Sequence, residues 1–279
     1  MAAKNDSVLR TFTVALLICL VCAVVVATAA VMLRPVQEVN KLLDKQVNIL
    51  MAAGLYSEGM DVQKAFESIE RRFVDLRSGE YVEMPESYDQ RRAAKDPATS
   101  VRLDSNVDTA SIRNQAKVAE VYLAKDDAGE LSKIILPIHG YGLWSTLYGF
   151  LALEPDVNTI AGLGFYEHAE TPGLGGEVDN PKWKGIWPGK KLFDEQDELA
   201  ISVIKGTVDS SAADAQHKVD GLAGATLTTN GLNNLVRFWM GENGFGPYLD
   251  ELKTNAAAEQ YPADESVAAP ADGEEVSNG

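Results

Sequence analysis

Residues 118–168 read VAEVYLAKDDAGELSKIILPIHGYGLWSTLYGFLALEPDVNTIAGLGFYEH, a series of apolar runs separated by turn residues. The runs are VAEVYLA at 118–124, KIILPI at 133–138, YGFLAL at 148–153 and TIAGLGFYEH at 159–168. They are rich in β-branched and aromatic residues, and Asp, Gly and Pro punctuate them, as is typical of neighbouring strands. The pattern therefore predicts a β-rich core.

Helices and shorter strands are predicted on either side of this core. Apolar spacing predicts a helix over Val62–Leu76, and short strands are predicted at 200–205 (AISVIK) and 217–220 (HKVD). One buried helix face is marked by residues at positions i, i+3, i+4 and i+7, namely Leu232, Leu235, Val236 and Trp239. That helix is expected to begin near Thr228–Asn230, a good capping region. Because strands run together between helices, the predicted class is α+β.

An apolar segment near the N-terminus is long enough to cross a bilayer. Residues 11–33 read TFTVALLICLVCAVVVATAAVML and are bounded by Arg10 and Arg34. As a helix this run is ~35 Å long, against ~30 Å of hydrocarbon. A cleavable signal peptide is the alternative, given basic Lys4 and the Ala27-Thr28-Ala29 sequence. The run exceeds the usual signal-peptide core, which favours an uncleaved transmembrane helix.

The rest of the chain divides by composition. An amphipathic helix is expected after Pro35, and polar residues 78–116 are expected to form a surface insertion. The tail from Asn255 to Gly279 has six acidic residues and no Lys or Arg, which predicts disorder. The predicted parts are an N-terminus at 1–10, the membrane helix at 11–33, a helical segment with the insertion at 34–116, a domain at 117–254 and the tail at 255–279.

Composition excludes several classes of function. The 279 residues carry a net charge of −16, which argues against nucleic acid as a partner. Cys19 and Cys22 are the two cysteines, so residues 35–279 contain no disulfide or thiolate metal site. His139, His168 and His217 are not at ligand spacing, and no HExxH or GxSxG sequence is present. No metal site and no catalytic residue are predicted.

A glycine-rich segment precedes the C-terminal helix pattern. Residues 220–228 read DGLAGATLT, so Thr226 stands among small neighbours at the predicted mouth of a helix. Backbone amides at a helix start can receive an anion, and Asp220 adds a carboxylate that could orient a metal or a proton. A plain glycine-rich turn with a helix cap is the alternative. The residues alone leave both readings open.

DGLAGAT resembles the flavinylation motif D-x-x-[ST]-G-A-[ST], in which a dedicated transferase esterifies the last hydroxyl with the phosphate of FMN. By this resemblance Thr226 is the covalent attachment residue. Ala223 departs from the motif, because Ser or Thr usually stands there. The hydroxyl that accepts the phosphate is retained.

A second segment, HAETPGLGG at 168–176, is followed by Asn180, Trp183, Trp187 and Lys190. Its ETPGLG sequence is similar to a motif of FMN-binding domains in membrane redox complexes, where it lines the flavin pocket. A Pro-Gly turn beside ordinary core tryptophans is the alternative. The threonine motif about fifty residues later favours the flavin interpretation.

The order of the parts adds to the resemblance: one N-terminal span, GYGLWS at 140–145, ETPGLG, DGLAGAT and a terminal helix. Over residues 5–254 the chain resembles the NqrC family, the flavin-carrying C subunits of the sodium-translocating NADH:quinone oxidoreductases (Na+-NQR). The RnfG proteins of the Rnf electron-transport complexes share the flavin motifs and are the alternative family. The region 35–116 and the stretch 180–191 favour the former.

The resemblance implies an electron-transfer subunit of a sodium-pumping NADH:ubiquinone reductase, with covalent FMN and no catalysis by the chain alone. It further implies a bacterial inner-membrane protein with residues 1–10 in the cytoplasm and the FMN domain in the periplasm. Its partners would be the other subunits and the flavin transferase. A non-redox membrane-anchored binding module and a self-sufficient membrane-anchored reductase are the competing classes.

The residues that the resemblance places at the cofactor come from the two motifs. Thr226 would carry FMN. The predicted cofactor-binding residues are Glu170, Thr171, Gly173, Leu174, Gly175, Asp220, Leu222, Ala223, Gly224, Ala225 and Thr228. Trp144, Ser145 and Lys205 are added from neighbouring strands because they lie close to the motifs along the chain.

Overall fold

The computed structural model describes residues 8–260 and confirms the α+β class, a long apolar N-terminal helix followed by a β-rich domain. Its helices are α1 (Val8–Ala52), α2 (Val62–Phe66), α3 (Gln90–Ala93), α4 (Pro181–Lys184), α5 (Thr226–Met240) and α6 (Gly246–Gln260). Its strands are β1 (Ile69–Asp75), β2 (Ser100–Arg102), β3 (Asn114–Ala116), β4 (Val118–Lys125), β5 (Leu131–Tyr141), β6 (Thr146–Leu153), β7 (Ile160–Glu167), β8 (Ser202–Val203) and β9 (Lys218–Val219). Short 3₁₀ helices cover Gly175–Asp179 and Ala215–His217.

Five antiparallel strands form the central sheet, in the order β1-β4-β5-β6-β7. The last four follow one another along the chain and are the four strands that the sequence predicts. Side chains alternate between the two faces of such a sheet. One face packs on α5 through residues such as Leu136 and Leu235, and the other packs on the end of α1 through Ile135 and Phe150.

The predicted helix over Val62–Leu76 is wrong beyond its first turn. Helix α2 ends at Phe66, and β1 begins three residues later, at Ile69. Its register on β4 pairs Ile69 with Ala124 and Asp75 with Val118. Local apolar spacing suggested a helix, but pairing with a strand about fifty residues away decides the conformation of this segment.

The segment 78–116, predicted as a surface insertion, also packs against the domain. It contains α3, β2 and β3, and it buries Gln90, Ala93 and Ala110. The Ala110 carbonyl accepts the Tyr141 N–H (2.8 Å), and Gln90 Oε1 accepts the Glu120 N–H (3.1 Å). The segment therefore satisfies backbone groups of the sheet. Strand β1, which precedes this segment, also belongs to the central sheet.

Several predicted boundaries shift. Helix α5 begins at Thr226 rather than near 228–230, and the strands expected at 200–205 and 217–220 shorten to the two-residue parallel pair of β8 and β9. Helix α6 runs to Gln260, so residues 255–260 of the predicted tail are helical. Residues 1–7 and 261–279 lie outside the described residues.

Helix α1 joins the predicted membrane span and the amphipathic segment into one helix of 45 residues that includes Pro35. At ~1.5 Å per residue it is ~67 Å long, about twice the hydrocarbon thickness. Within residues 8–260 it is the one helix that is long and apolar enough to cross a membrane. Its first four-fifths are exposed, and its last turn is buried against the domain.

Two kinds of contact fix the end of α1 to the sheet. Ile49 and Leu50 are buried at 1% exposure and pack on the second face of the sheet. The carbonyl of Ala52 lies so close to Gly162 on β7 that a Cβ on this glycine would be 2.4 Å away. The absence of a side chain at Gly162 therefore lets the helix reach the strand.

A buried ion-pair network completes this contact. Glu120 is 4% exposed, and its carboxylate accepts hydrogen bonds from Lys45 of α1 (2.7 Å), from Arg71 of β1 (2.8 Å) and from the Tyr122 hydroxyl. Burial raises the pKa of Glu120, but Lys45, Tyr122 and Arg71 together lower it further than burial raises it. The charged network thus joins α1 to the domain.

The contact at Gly162 generates a prediction. Gly162→Ala forces the new methyl group against the Ala52 carbonyl, and we expect a loss of about 1–3 kcal/mol in the free energy of unfolding. Denaturant unfolding of the detergent-solubilised chain measures this loss. Gly164→Ala on the same strand is the matched control, because a Cβ there meets nothing within 4 Å. Equal losses in the two variants would contradict the close approach.

Candidate functional site

Three separate segments meet at the carboxylate of Glu170. Its Oε1 accepts the backbone N–H groups of Leu143 (3.1 Å), Trp144 (3.0 Å) and Ser145 (3.2 Å), in the loop between β5 and β6. Its Oε2 accepts the hydroxyl of Thr228 in the first turn of α5 (2.8 Å). The ETPGLG segment, the GYGLWS loop and the helix after DGLAGAT are therefore joined at one side chain.

The carboxylate of Glu170 is stabilised by hydrogen bonds from amides and hydroxyls, and no basic side chain of residues 8–260 pairs with it. The side chain is 5% exposed, and burial raises its pKa. The Trp144 amide, the Thr228 hydroxyl and the Leu143 and Ser145 amides lower the pKa by more, so the net shift is below the ordinary 4.5. Glu170 is therefore ionised at neutral pH.

Two glycines allow the segments to come this close. A Cβ on Gly142 would lie 2.6 Å from Glu170 Oε1. A Cβ on Gly175 would lie 2.6 Å from the Thr228 Oγ1 and 2.7 Å from Glu170 Oε2. The absence of a side chain at both positions therefore leaves room for the Glu170 carboxylate and the Thr228 hydroxyl.

The DGLAGAT loop is held by its own contacts. Asp220 Oδ1 accepts the Val208 N–H (2.8 Å), and the Asp220 carbonyl accepts the indole N–H of Trp183 (2.9 Å). The Leu222 N–H donates to the Thr229 hydroxyl (3.0 Å). Gly224 has φ +73°, a left-handed conformation that favours glycine. Asp220 therefore holds the loop in place.

Thr226 is the first residue of α5, and its side chain is exposed. The residue before it, Ala225, has no side chain that could cap the helix, and no side-chain cap is present. The amides at the start of this 15-residue helix consequently lack a side-chain acceptor, and they carry the positive end of the helix dipole. An anion attached at Thr226 would meet favourable electrostatics.

Exposed apolar side chains stand on the same three segments. Trp144 is 66% exposed, Leu174 is 44% exposed and Leu227 is 58% exposed. Leu174 lies over the glycine of the DGLAGAT loop, since its Cδ2 would be 3.2 Å from a Cβ on Gly224. Such surface suits a planar aromatic ligand beside Thr226.

The remaining predicted site residues differ in their exposure and in their contacts. Thr171 and Gly173 are exposed in the turn before Leu174, and Ser145 uses its hydroxyl to accept the Ala169 N–H (2.7 Å). Lys205 is exposed and follows Ile204, whose carbonyl packs against Gly221. Lys205 is thus near the start of the loop but does not bond to Glu170.

The sequence did not reveal the supports behind the motifs. His168 Nδ1 accepts the Glu170 N–H (3.2 Å), and its Nε2 lies 2.8 Å from Asp179 Oδ2. Thr229 was not predicted as a contact of the loop. The adjacent Thr228-Thr229 pair, facing inward from a helix start, is the signal from which such a role could have been suspected.

Comparisons with known proteins agree with this geometry. A family model described as FMN-binding domain matches residues 142–241, which contain all three segments at Glu170. The C subunit of the Na(+)-translocating NADH-quinone reductase of Pseudomonas aeruginosa is 54% identical over 261 residues, covering 91% of this chain and 100% of that protein. The corresponding protein of Haemophilus ducreyi, which bears the same name, is 50% identical over 256 residues, covering 91% and 98%.

Solved structures show the same fold. The crystal structure of Shewanella oneidensis NqrC matches with a TM-score of 0.71 at 37% identity, covering 77% of this chain and 99% of that chain. The crystal structure of the Na(+)-translocating NADH-quinone reductase C subunit from Parabacteroides distasonis matches with a TM-score of 0.60 at 29% identity, covering 78% and 96%.

The hydrogen bonds of Glu170 generate a pH prediction. Because its pKa is lowered in the fold, its contribution to stability is complete above about pH 4.5 and is lost as the pH falls through the lowered pKa. We expect Glu170→Gln to lower the free energy of unfolding by about 1–3 kcal/mol at pH 7 and to flatten its decline in acid. Thermal unfolding from pH 7 to pH 3 measures both effects.

Glu130→Gln is the control, because Glu130 lies in an exposed turn between β4 and β5. It should reproduce the wild-type pH profile. If Glu170→Gln and Glu130→Gln gave the same profile, the charge of Glu170 would not support the three segments.

Proposed function

We propose, for a chain that belongs to the NqrC family of Na(+)-translocating NADH-quinone reductases, that FMN is attached covalently through its phosphate to the hydroxyl of Thr226. Membership of the family makes the protein an FMN-binding subunit of that membrane oxidoreductase. The covalent bond, its position and the residues around it are the proposed part. The observation that carries them is the exposed Thr226 at an uncapped helix start.

The surroundings of Thr226 suit a phosphate ester. A phosphodiester at this hydroxyl places its negative charge beside the free amides of the first turn of α5, where the helix dipole favours anions. Ala223 and Gly224 are exposed and small, so they leave room for a bulky cofactor and for the transferase that would attach it. The hydroxyl missing at Ala223 is not the one that would be esterified.

The other site residues divide into two proposed roles. Leu174 and Trp144, with Thr171 and Gly173, offer exposed surface to the flavin ring. Glu170 and Thr228 are buried and bonded to each other, so they position the loops rather than contact the ring. When bound, FMN supplies electron transfer, which the protein tunes through contacts and burial.

The function that fits these features best is an electron relay within the complex. The chain would take electrons from one subunit and pass them to another, while NADH oxidation, ubiquinone reduction and sodium passage belong to other subunits. In support, the one membrane-crossing helix among residues 8–260 has no charged residue between Arg10 and Arg34 that could serve an ion path.

We further propose that the domain lies in the periplasm and that residues 1–10 lie in the cytoplasm. Lys4 and Arg10 on one side of the span nearly balance Arg34, Lys41 and Lys45 on the other, so the positive charges do not decide orientation. The proposal rests on the family resemblance. The absence of cysteine from residues 35–279 is compatible with an oxidising compartment.

The attachment proposal predicts that Thr226→Val abolishes covalent flavin. The wild type and the variant are each coexpressed with a flavin transferase, denatured in SDS and separated on a gel. We expect a fluorescent band for the wild type and none for Thr226→Val. Thr226→Ser is the matched control, because it keeps the hydroxyl and should retain fluorescence.

Mass spectrometry of the tryptic peptide that contains Thr226 gives an independent readout, an added FMN phosphoryl ester. Fluorescence that survives denaturation in Thr226→Val would refute the attachment residue. A wild type without flavin after coexpression would instead favour the non-redox binding module.

The orientation proposal predicts the accessibility of an exposed turn. Ala128→Cys, with Cys19 and Cys22 replaced by serine, lies in the exposed turn between β4 and β5. We expect a membrane-impermeant maleimide to label it in intact spheroplasts. A cysteine at position 2 is the control and should react only after lysis. Labelling of Ala128→Cys only after lysis would place the domain in the cytoplasm.

A further inference from the structure

An apolar face of α1 continues toward the membrane beyond its contact with the domain. Ile49 and Leu50 are 1% exposed, because the domain covers them. Leu42 stands seven residues before Ile49 and Val36 fourteen before Leu50, so each lies on nearly the same side of the helix as its buried counterpart. Val39 lies between them. These three residues, the juxtamembrane stripe, are 56–59% exposed.

The stripe lies outside the hydrocarbon of the bilayer. Arg34 ends the apolar run of 11–33, and it pairs with Glu38 (3.1 Å) one turn later. Lys41 and Asp44 follow. Four charged residues within eleven positions do not suit the membrane interior. From Arg34 to Asn48 the helix therefore rises ~21 Å between the bilayer and the buried last turn of α1.

We propose that the juxtamembrane stripe is a docking surface for an apolar segment of another subunit of the reductase complex, rising from the membrane beside α1. The same helix face is covered by lipid below Arg34 and by the chain's own domain above Asn48. A partner that covers this face between the bilayer and the domain must itself emerge from the bilayer. The chain's membership of a multisubunit membrane complex supplies such partners.

The charges around the stripe favour a protein over a lipid headgroup. Lys45 is paired with Glu120 of the domain, and the other charges from Arg34 to Asn48 are two basic residues, Arg34 and Lys41, and two acidic residues, Glu38 and Asp44. Recognition of anionic headgroups requires an excess of basic residues, which is absent here. Lys41 and Asp44 instead line a cavity between α1 and the domain, which leaves the stripe itself as uncharged apolar surface, like the core of a protein interface.

Photo-crosslinking in the assembled complex tests the proposal. Benzoylphenylalanine replaces Val36, Val39 or Leu42 in the full chain, and membranes are irradiated before the complex is purified. Gln37 is the matched control, because it is equally close to the membrane and exposed but faces away from the stripe, as does Asp44 seven residues later. We expect crosslinks from the stripe to a different subunit, at least fivefold above the Gln37 position.

Crosslinks between two copies of this chain, adducts with lipid alone, or equal yields from Gln37 would each overturn the proposal.

A second measurement uses Val39→Asp with Leu42→Asp. We expect at least a tenfold loss of copurification with the other subunits, while the thermal unfolding of the isolated chain stays unchanged because both side chains are exposed. Gln37→Asp should copurify normally. Full copurification of the double variant would also overturn the proposal.

Discussion

The carboxylate of Glu170 is the constraint on which the arrangement of the site depends. It binds three consecutive amides of one loop, 25–27 residues before it along the chain, and a hydroxyl of the first turn of a helix, 58 residues after it. A buried anion without a cationic partner is costly unless its oxygens are well hydrogen-bonded. Loss of any one segment would leave the Glu170 carboxylate without some of its hydrogen bonds, so this side chain holds the segments together.

This arrangement gives two threonines of one helix opposite orientations. Residues two apart in a helix point to nearly opposite sides, because each residue turns the helix by about 100°. Thr228 is 1% exposed and bonds to Glu170, whereas Thr226 faces outward. The anchoring of one threonine therefore orients the other, and the hydroxyl that we propose as the attachment point stands on a rigid base.

The sequence predicted the parts of the fold that depend on local patterns. Strands β4 to β7 have clear apolar runs, and the inward face of α5 has helical spacing, so both were found. Strand β1 was not, because its hydrogen bonds come from a distant strand. The hydrogen bonds by which Glu170 joins three segments were not predicted, since three of its partners are backbone amides, which no residue type marks.

Because α1 is continuous, the number of residues in it determines how the domain is oriented about the helix axis. The helix leaves the span and enters the sheet contact without a break, so its residue count between Arg34 and Lys45 sets both height and azimuth. Adding one residue there would rotate the whole domain by about 100° about the axis and lift it by ~1.5 Å. A seven-residue addition would nearly restore the azimuth and lift the domain by ~10 Å. Insertions between Arg34 and Lys45 therefore preserve the orientation of the domain only when they add whole helical turns.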